Sequence, residues 1–95
     1  MIFVSGQIAS DLTADIQTQT IQIMEKIEVL LEKGGAFMSD IVKTSIYLAS
    51  IEDFKIVNEE YAKFFPSEPP ARVTLQAAAL PLNASLMIDA IAVRS

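Results

Sequence analysis

A chain of 95 residues with 52% hydrophobic and 20% charged side chains, 3 Gly and 4 Pro has the composition of one packed domain, not of a disordered or fibrous polypeptide. Twelve acidic residues against seven basic ones leave a net charge of −5, the wrong sign for condensing on phosphates, so sequence-independent nucleic-acid binding is disfavoured. The absence of His and Cys excludes Ser-His-Asp and Cys-His nucleophile systems, thiolate redox sites, disulfides, and His or Cys zinc sites, leaving carboxylates, Arg, Lys, Tyr, hydroxyls, backbone groups and bound water for any chemistry.

The start, Met1-Ile2-Phe3-Val4, is apolar but carries no basic flank, the first positive side chain being Lys26, so a secretory signal is not expected. The longest charge-free stretch, between Arg72 and Asp89, is interrupted by Gln76, Pro81, Asn83 and Ser85 and falls short of the roughly 20 apolar residues of a membrane helix. The expectation is a soluble, cytoplasmic protein. Residues 1–7 are rich in β-formers and read as a short strand that runs into a loop at Ser5-Gly6-Gln7. Ile16, Thr20, Ile23, Ile27 and Leu30/Leu31 recur at helical spacing and predict an amphipathic helix over residues 15–33, with Asp15 favourable in its first turn and Gly34-Gly35 as its stop.

Residues 41–48 alternate with period two, Val42, Thr44, Ile46 and Leu48 on one side and Lys43, Ser45 and Tyr47 on the other, and predict a strand. Ser50-Ile51-Glu52-Asp53 resembles a capping box opening a second helix, whose apolar stripe is Phe54, Val57, Tyr61, Phe64 and Phe65 and which Pro66 ends. Pro69-Pro70 keeps the following segment extended, and residues 71–78 and 85–93 predict two more strands around a turn at Pro81-Leu82-Asn83. The order βαβαββ predicts an α+β fold in which two helices cover one face of a four-stranded sheet. The other face, bearing Ala77, Met87, Ile91 and Val93, is left bare and predicts a homo-oligomer.

Few residues invite chemistry. Glu25, Glu28 and Glu32 share a helix face that reads as a solvated surface rather than a carboxylate metal cluster, because Lys26 and Lys33 lie within a turn. Arg72, emerging from Pro69-Pro70-Ala71 at a strand start, has the fork geometry for a small carboxylate, although the residues alone favour an ordinary surface charge. Asn58 leans toward the buried side of the second helix, where it ties a loop or orients a ligand. Ser5-Gly6 can offer backbone N–H groups to an anion, a weak signal as a bare pair. Asp89 stands in an apolar strand with Met87 and Ile91 as same-face neighbours and is either a perturbed carboxylate or a residue at an oligomer rim.

Five blocks carry a wider likeness: Phe3-Val4-Ser5-Gly6-Gln7-Ile8, Asp40-Ile41-Val42-Lys43-Thr44, Asp53-Phe54-Lys55-Ile56-Val57-Asn58-Glu59-Glu60-Tyr61, Pro70-Ala71-Arg72 and Ile88-Asp89-Ala90-Ile91-Ala92-Val93. In this order and spacing the sequence resembles, across residues 1–95, the RidA family, also called YjgF or L-PSP, whose members include reactive-intermediate imine/enamine deaminases. The resemblance implies a chorismate-mutase-like α+β fold, a homotrimer with clefts between subunits, and hydrolysis of a 2-imino acid to a 2-keto acid and ammonia without cofactor or metal. It implies substrate-binding roles for Arg72 (the carboxylate), Ser5, Gly6, Asn58 and the backbone around Thr74.

Two departures qualify that implication. Deaminase members carry a first strand and a Gly-Pro-Tyr motif ahead of the Ser-Gly-Gln block, and this sequence begins too late to show them, so the expected fold is truncated at the first family strand. The last strand reads Met87-Ile88-Asp89-Ala90 where the active branch reads Glu-Ile-Glu-Ala, so Met87 stands where a water-orienting glutamate is expected. Asp89 is a weak substitute, displaced by about 6.6 Å along the strand and shorter by a methylene. The catalytic residue is therefore open, and the expected outcome is binding with weak or lost 2-iminobutanoate/2-iminopropanoate hydrolysis. A non-catalytic, ligand-binding or regulatory trimer is the alternative, and the ribonuclease or translation-inhibitor activity often attached to the family is disfavoured by the acidic balance and the lack of His.

Overall fold

The computed structural model describes residues 1–94. The elements are β1 (Ile2–Gln7), α1 (Ile16–Lys33), β2 (Ile41–Leu48), α2 (Phe54–Ala62), β3 (Ala71–Gln76) and β4 (Leu86–Ala92), with short 3-10 turns at Met38–Asp40, Ile51–Asp53 and Pro81–Asn83. The sheet order is β1-β4-β2-β3, with β2 and β3 parallel and the other pairs antiparallel. The parallel pair needs a crossover, and α2 supplies it.

Helix α1 begins where Asp15 caps it: the side chain accepts from the Thr18 backbone N–H at 2.8 Å, which also holds the Asp15 carboxyl below its usual value. At its other end Gly35 takes φ +79, a conformation that a residue with a Cβ rarely adopts, and Arg94 Nη1 donates to the Gly34 carbonyl at 3.2 Å, a cation placed at the negative end of the helix dipole. The inward stripe of α1, Ile23, Met24, Ile27 and Leu31, meets Val57 and Tyr61 of α2 over the sheet residues Ile46, Leu48, Leu86, Ile88, Ala90 and Ala92, all buried. Strand β4 alternates strictly, with Leu86, Ile88, Ala90 and Ala92 under the helices and Met87, Asp89 and Ile91 half-buried on the opposite face. That face carries no helix, and Phe3, Val73 and Leu75 are exposed on it.

Four local expectations change. Val42 is exposed, because the register against β4 shifts between Ile41 and Lys43; this bulge puts Ile41 in the core and turns Val42 outward. Gly6 belongs to β1 rather than to a loop, at a second register shift between Val4 and Gln7. Ser50 accepts from the Glu52 N–H at 3.3 Å and opens a 3-10 turn, not a reciprocal capping box, before α2 begins at Phe54. Helix α2 ends at Ala62, ahead of Pro66, where Phe64 and Phe65 donate backbone N–H groups to Tyr61 and Ala62 at 3.1 Å and the tightened turn lays the Phe65 ring 5.0 Å from that of Tyr61. No helix among the described residues is long and apolar enough to cross a membrane.

Candidate functional site

Phe54, Asn58 and Tyr61 recur at i, i+4 and i+7 on α2 and so share one stripe. Strand β3 pairs with β2 so that Arg72 stands beside buried Thr44, which directs Arg72 to the helix side of the sheet and onto that stripe. The guanidinium carbon lies 5.5 Å from the Phe54 ring centroid and 5.2 Å from that of Tyr61, within cation–π range, and Nη1 donates to Asn58 Oδ1. Tyr61 is itself fixed, its hydroxyl sharing a buried 2.7 Å hydrogen bond with Thr44 Oγ1.

Three neutral groups thus orient the fork, and no carboxylate among the described residues forms an ion pair with it. An oriented, partly exposed guanidinium with most of its five N–H donors unspent is a receptor for a planar anion. The concavity in front of it, 400 Å³, is lined by Asn58, Tyr61, Ala62, Phe65, Pro69, Pro70 and Arg72. Thr74 follows Arg72 on the same side of β3, half-buried, its Oγ1 shielded from solvent and without a hydrogen-bond partner.

Burial raises the Tyr61 hydroxyl above the usual 10.0, opposed by the Thr44 hydrogen bond and the Arg72 charge. A phenol whose folded value is raised contributes stability that is complete below about pH 10 and lost as pH rises through the folded value. In an absorbance titration at 295 nm, Tyr61→Phe is expected to remove a phenolate that forms only above the ordinary tyrosine range. Removal of an ordinary or early-titrating phenol would contradict the packing described.

The other predicted residues form a second group. Ser5 and Phe3 of β1 and Met87 and Asp89 of β4 face the bare side of the sheet. The Met87 side chain lies flat across Gly6: a Cβ built on Gly6 would sit 2.6 Å from Sδ, 3.0 Å from Cγ and 3.2 Å from Cε. An added Cβ would have to push that flexible thioether aside. Asp89 accepts a long hydrogen bond, 3.4 Å, from the Tyr47 hydroxyl, and both line a 410 Å³ concavity with Phe3, Ser5, Lys43, Ser45 and Ile91.

The structure therefore brings Arg72, Asn58 and Thr74 together, and Ser5, Gly6, Met87 and Asp89 together, but keeps the two groups apart. Strands β4 and β2 separate β1 from β3, about 14 Å at ordinary strand spacing, and the groups face opposite sides of the sheet. Glu25 and Glu32 are exposed on the outer face of α1, Glu28 is half-buried there, and Lys26 donates to the Ile8 carbonyl at 2.8 Å. Among the described residues no three His, Cys, Asp or Glu side chains converge as a metal site. Three participants were not singled out from the sequence: Phe54 and Tyr61, assigned only to an apolar stripe, hold the Arg72 guanidinium, and Tyr47 is the partner of Asp89. The 54/58/61 spacing was the signal for the first two.

The family model described as Endoribonuclease L-PSP matches residues 1–94. The chain belongs to the RidA/YjgF/L-PSP family. It is 43% identical to the chloroplastic Reactive Intermediate Deaminase A of Arabidopsis thaliana over 97% of its own length, and spans 52% of that protein. It is 39% identical to a RutC family protein of Saccharolobus solfataricus, covering 100% of this chain and 80% of that one. Among solved structures, that of Escherichia coli TdcF with bound serine superposes with a TM-score of 0.92 at 35% identity, covering 98% of this chain and 80% of that one. The α+β architecture, with two helices on one face of a four-stranded mixed sheet, is that of the RidA/YjgF/L-PSP structures it matches.

Proposed function

We propose that this RidA-family chain binds small 2-imino and 2-keto acids with their carboxylate on Arg72, in a cleft completed by a second copy of the chain within a homotrimer. The observation that carries this reading is the Arg72 guanidinium, held by Phe54, Asn58 and Tyr61 and left without a carboxylate partner. The relative with bound serine supports a small amino-acid-like ligand, and the deaminase name of the Arabidopsis relative supports imine hydrolysis as the reaction. The second copy is supported by the separation of the two residue groups on one chain and by the uncovered sheet face bearing Met87, Ile91 and Val73. Neither half of the site is complete alone.

In the reaction, water adds to C2 of the imino acid and the resulting carbinolamine expels ammonia, leaving the 2-keto acid; water is the only co-reactant. Arg72 holds the carboxylate, Asn58 and the backbone around Thr74 orient the substrate, and Ser5 and Gly6 of the neighbouring copy line the far wall. The water needs a proton acceptor. Met87 has none to offer, and Asp89, on the same face and held by Tyr47, lies about 6.6 Å farther along the strand. Turnover is accordingly weak while binding persists, and the lack of a base at position 87 is what favours a ligand-binding role as the second reading. The ribonuclease in the family's description draws no support from a net charge of −5 and a sequence without His.

Sedimentation equilibrium at micromolar concentration is expected to give three times the 10.4 kDa chain mass, with calorimetric titration showing saturable 2-oxobutanoate binding. A monomer, or no binding, would contradict the proposal.

A further inference from the structure

The groove beside Arg72 has one polar end and an apolar remainder. Arg72 and Asn58 supply the polar end; Tyr61, Phe65, Ala62, Pro69 and Pro70 form the walls. The walls have little to offer a polar group: the Tyr61 hydroxyl is turned inward onto Thr44, and Pro69 and Pro70 have no N–H. A polar ligand tail lying there would leave water without gaining partners, whereas an apolar tail gains by burial. At 400 Å³ the groove is also larger than the ethyl side chain of 2-oxobutanoate requires.

We infer that, given carboxylate binding at Arg72 as proposed above, this groove is a side-chain subsite that selects 2-keto and 2-imino acids with branched aliphatic side chains over short or polar ones. The carboxylate fixes one end of the ligand and the aromatic and proline walls read the other.

The test is calorimetric titration of the full chain with three acids sharing the same head: 2-oxobutanoate, 4-methyl-2-oxopentanoate and 2-oxoglutarate. The branched acid is expected to bind about tenfold more tightly than 2-oxobutanoate, given about fourfold for each fully buried methylene and partial burial in an open groove. The dicarboxylic acid should bind no better than 2-oxobutanoate. Ala62 is exposed on the last turn of α2, so Ala62→Leu narrows the groove without disturbing the core and should bring the ratio between the branched and short acids toward one; a matching melting temperature establishes that the variant folds.

Equal affinities for the branched and short acids in the native chain, with Arg72→Ala weakening both by about tenfold or more, would overturn the side-chain subsite and leave the carboxylate site standing. Tighter binding of 2-oxoglutarate than of the branched acid would also overturn it. Binding of all three that survives Arg72→Ala would overturn the carboxylate site, and the subsite with it.

Discussion

Arg72→Ala is expected to weaken 2-oxobutanoate binding by about tenfold to a hundredfold, the equivalent of roughly 1.5 to 3 kcal/mol for a charge-assisted, two-point hydrogen bond to a carboxylate. The magnitude follows from preorganisation. The fork already lies over two ring faces and is tied to Asn58, so little side-chain freedom is lost when the ligand arrives. Arg72→Lys should retain part of the affinity through charge but lose the planar two-point contact and the ring stacking, falling between the native chain and the alanine variant. The fold should tolerate both changes, since Arg72 is exposed on the edge strand β3 and makes no ion pair with the described residues. Equal affinity in Arg72→Ala and the native chain, measured by calorimetry on protein of unchanged melting temperature, would reduce Arg72 to an ordinary surface charge.

Met87→Glu is expected to raise 2-iminobutanoate hydrolysis by at least about tenfold, toward the roughly 10² to 10⁴ that a positioned general base typically supplies. The site favours a carboxylate acting as a base there. Position 87 pairs with Tyr47 across the β2–β4 ladder and shares its face with Asp89, so the introduced carboxylate gains a like-charged neighbour on the same strand. A like charge nearby lifts a carboxyl above its ordinary value, toward the range where it accepts protons best. The gain should stop short of the full factor, because the thioether now packed across Gly6 would be exchanged for a group that prefers water, loosening that wall. Coupled-assay rates for the native chain, Met87→Glu and Asp89→Asn decide the matter. A native rate already high and undiminished by Asp89→Asn would show that neither position supplies the base.

The order of the elements and the faces they bury were legible because each element carries its period openly. Ile16, Thr20, Ile23, Ile27 and Leu31 mark the buried side of α1, and the alternation from Leu86 to Ala92 marks the side of β4 that faces the helices. What the sequence hid is set by pairing between strands rather than along one. Val42 looked like a core residue because period two runs through it, but the register against β4 slips one residue there. Gly6 looked like a loop residue because glycine is costly in strands, whereas it stands in β1 at a register shift, with the side chain of Met87, 81 positions away, laid across it. Arg72 was legible as a candidate from its residue type and place after Pro69-Pro70-Ala71, but only the family likeness favoured a binding role over an ordinary surface charge. Its orienting groups, Phe54, Asn58 and Tyr61, reach it through the parallel β2–β3 register, and no local pattern tells which side of the strand the arginine takes.

The proposed site is built from two chains, Arg72 and Asn58 of one with Ser5, Gly6 and Met87 of the next. Subunit mixing tests it directly. Chains bearing Arg72→Ala and chains bearing Gly6→Val, whose new side chain must push the Met87 thioether aside and so obstruct the opposite wall, should each assemble with 2-oxobutanoate binding weakened at least about tenfold. Co-assembled in equal amounts, they are predicted to regain roughly one native site in four, because in a cyclic assembly that fraction of clefts pairs an intact Arg72 with an intact Gly6. A mixture that binds no better than the two variants assembled separately would contradict a shared site.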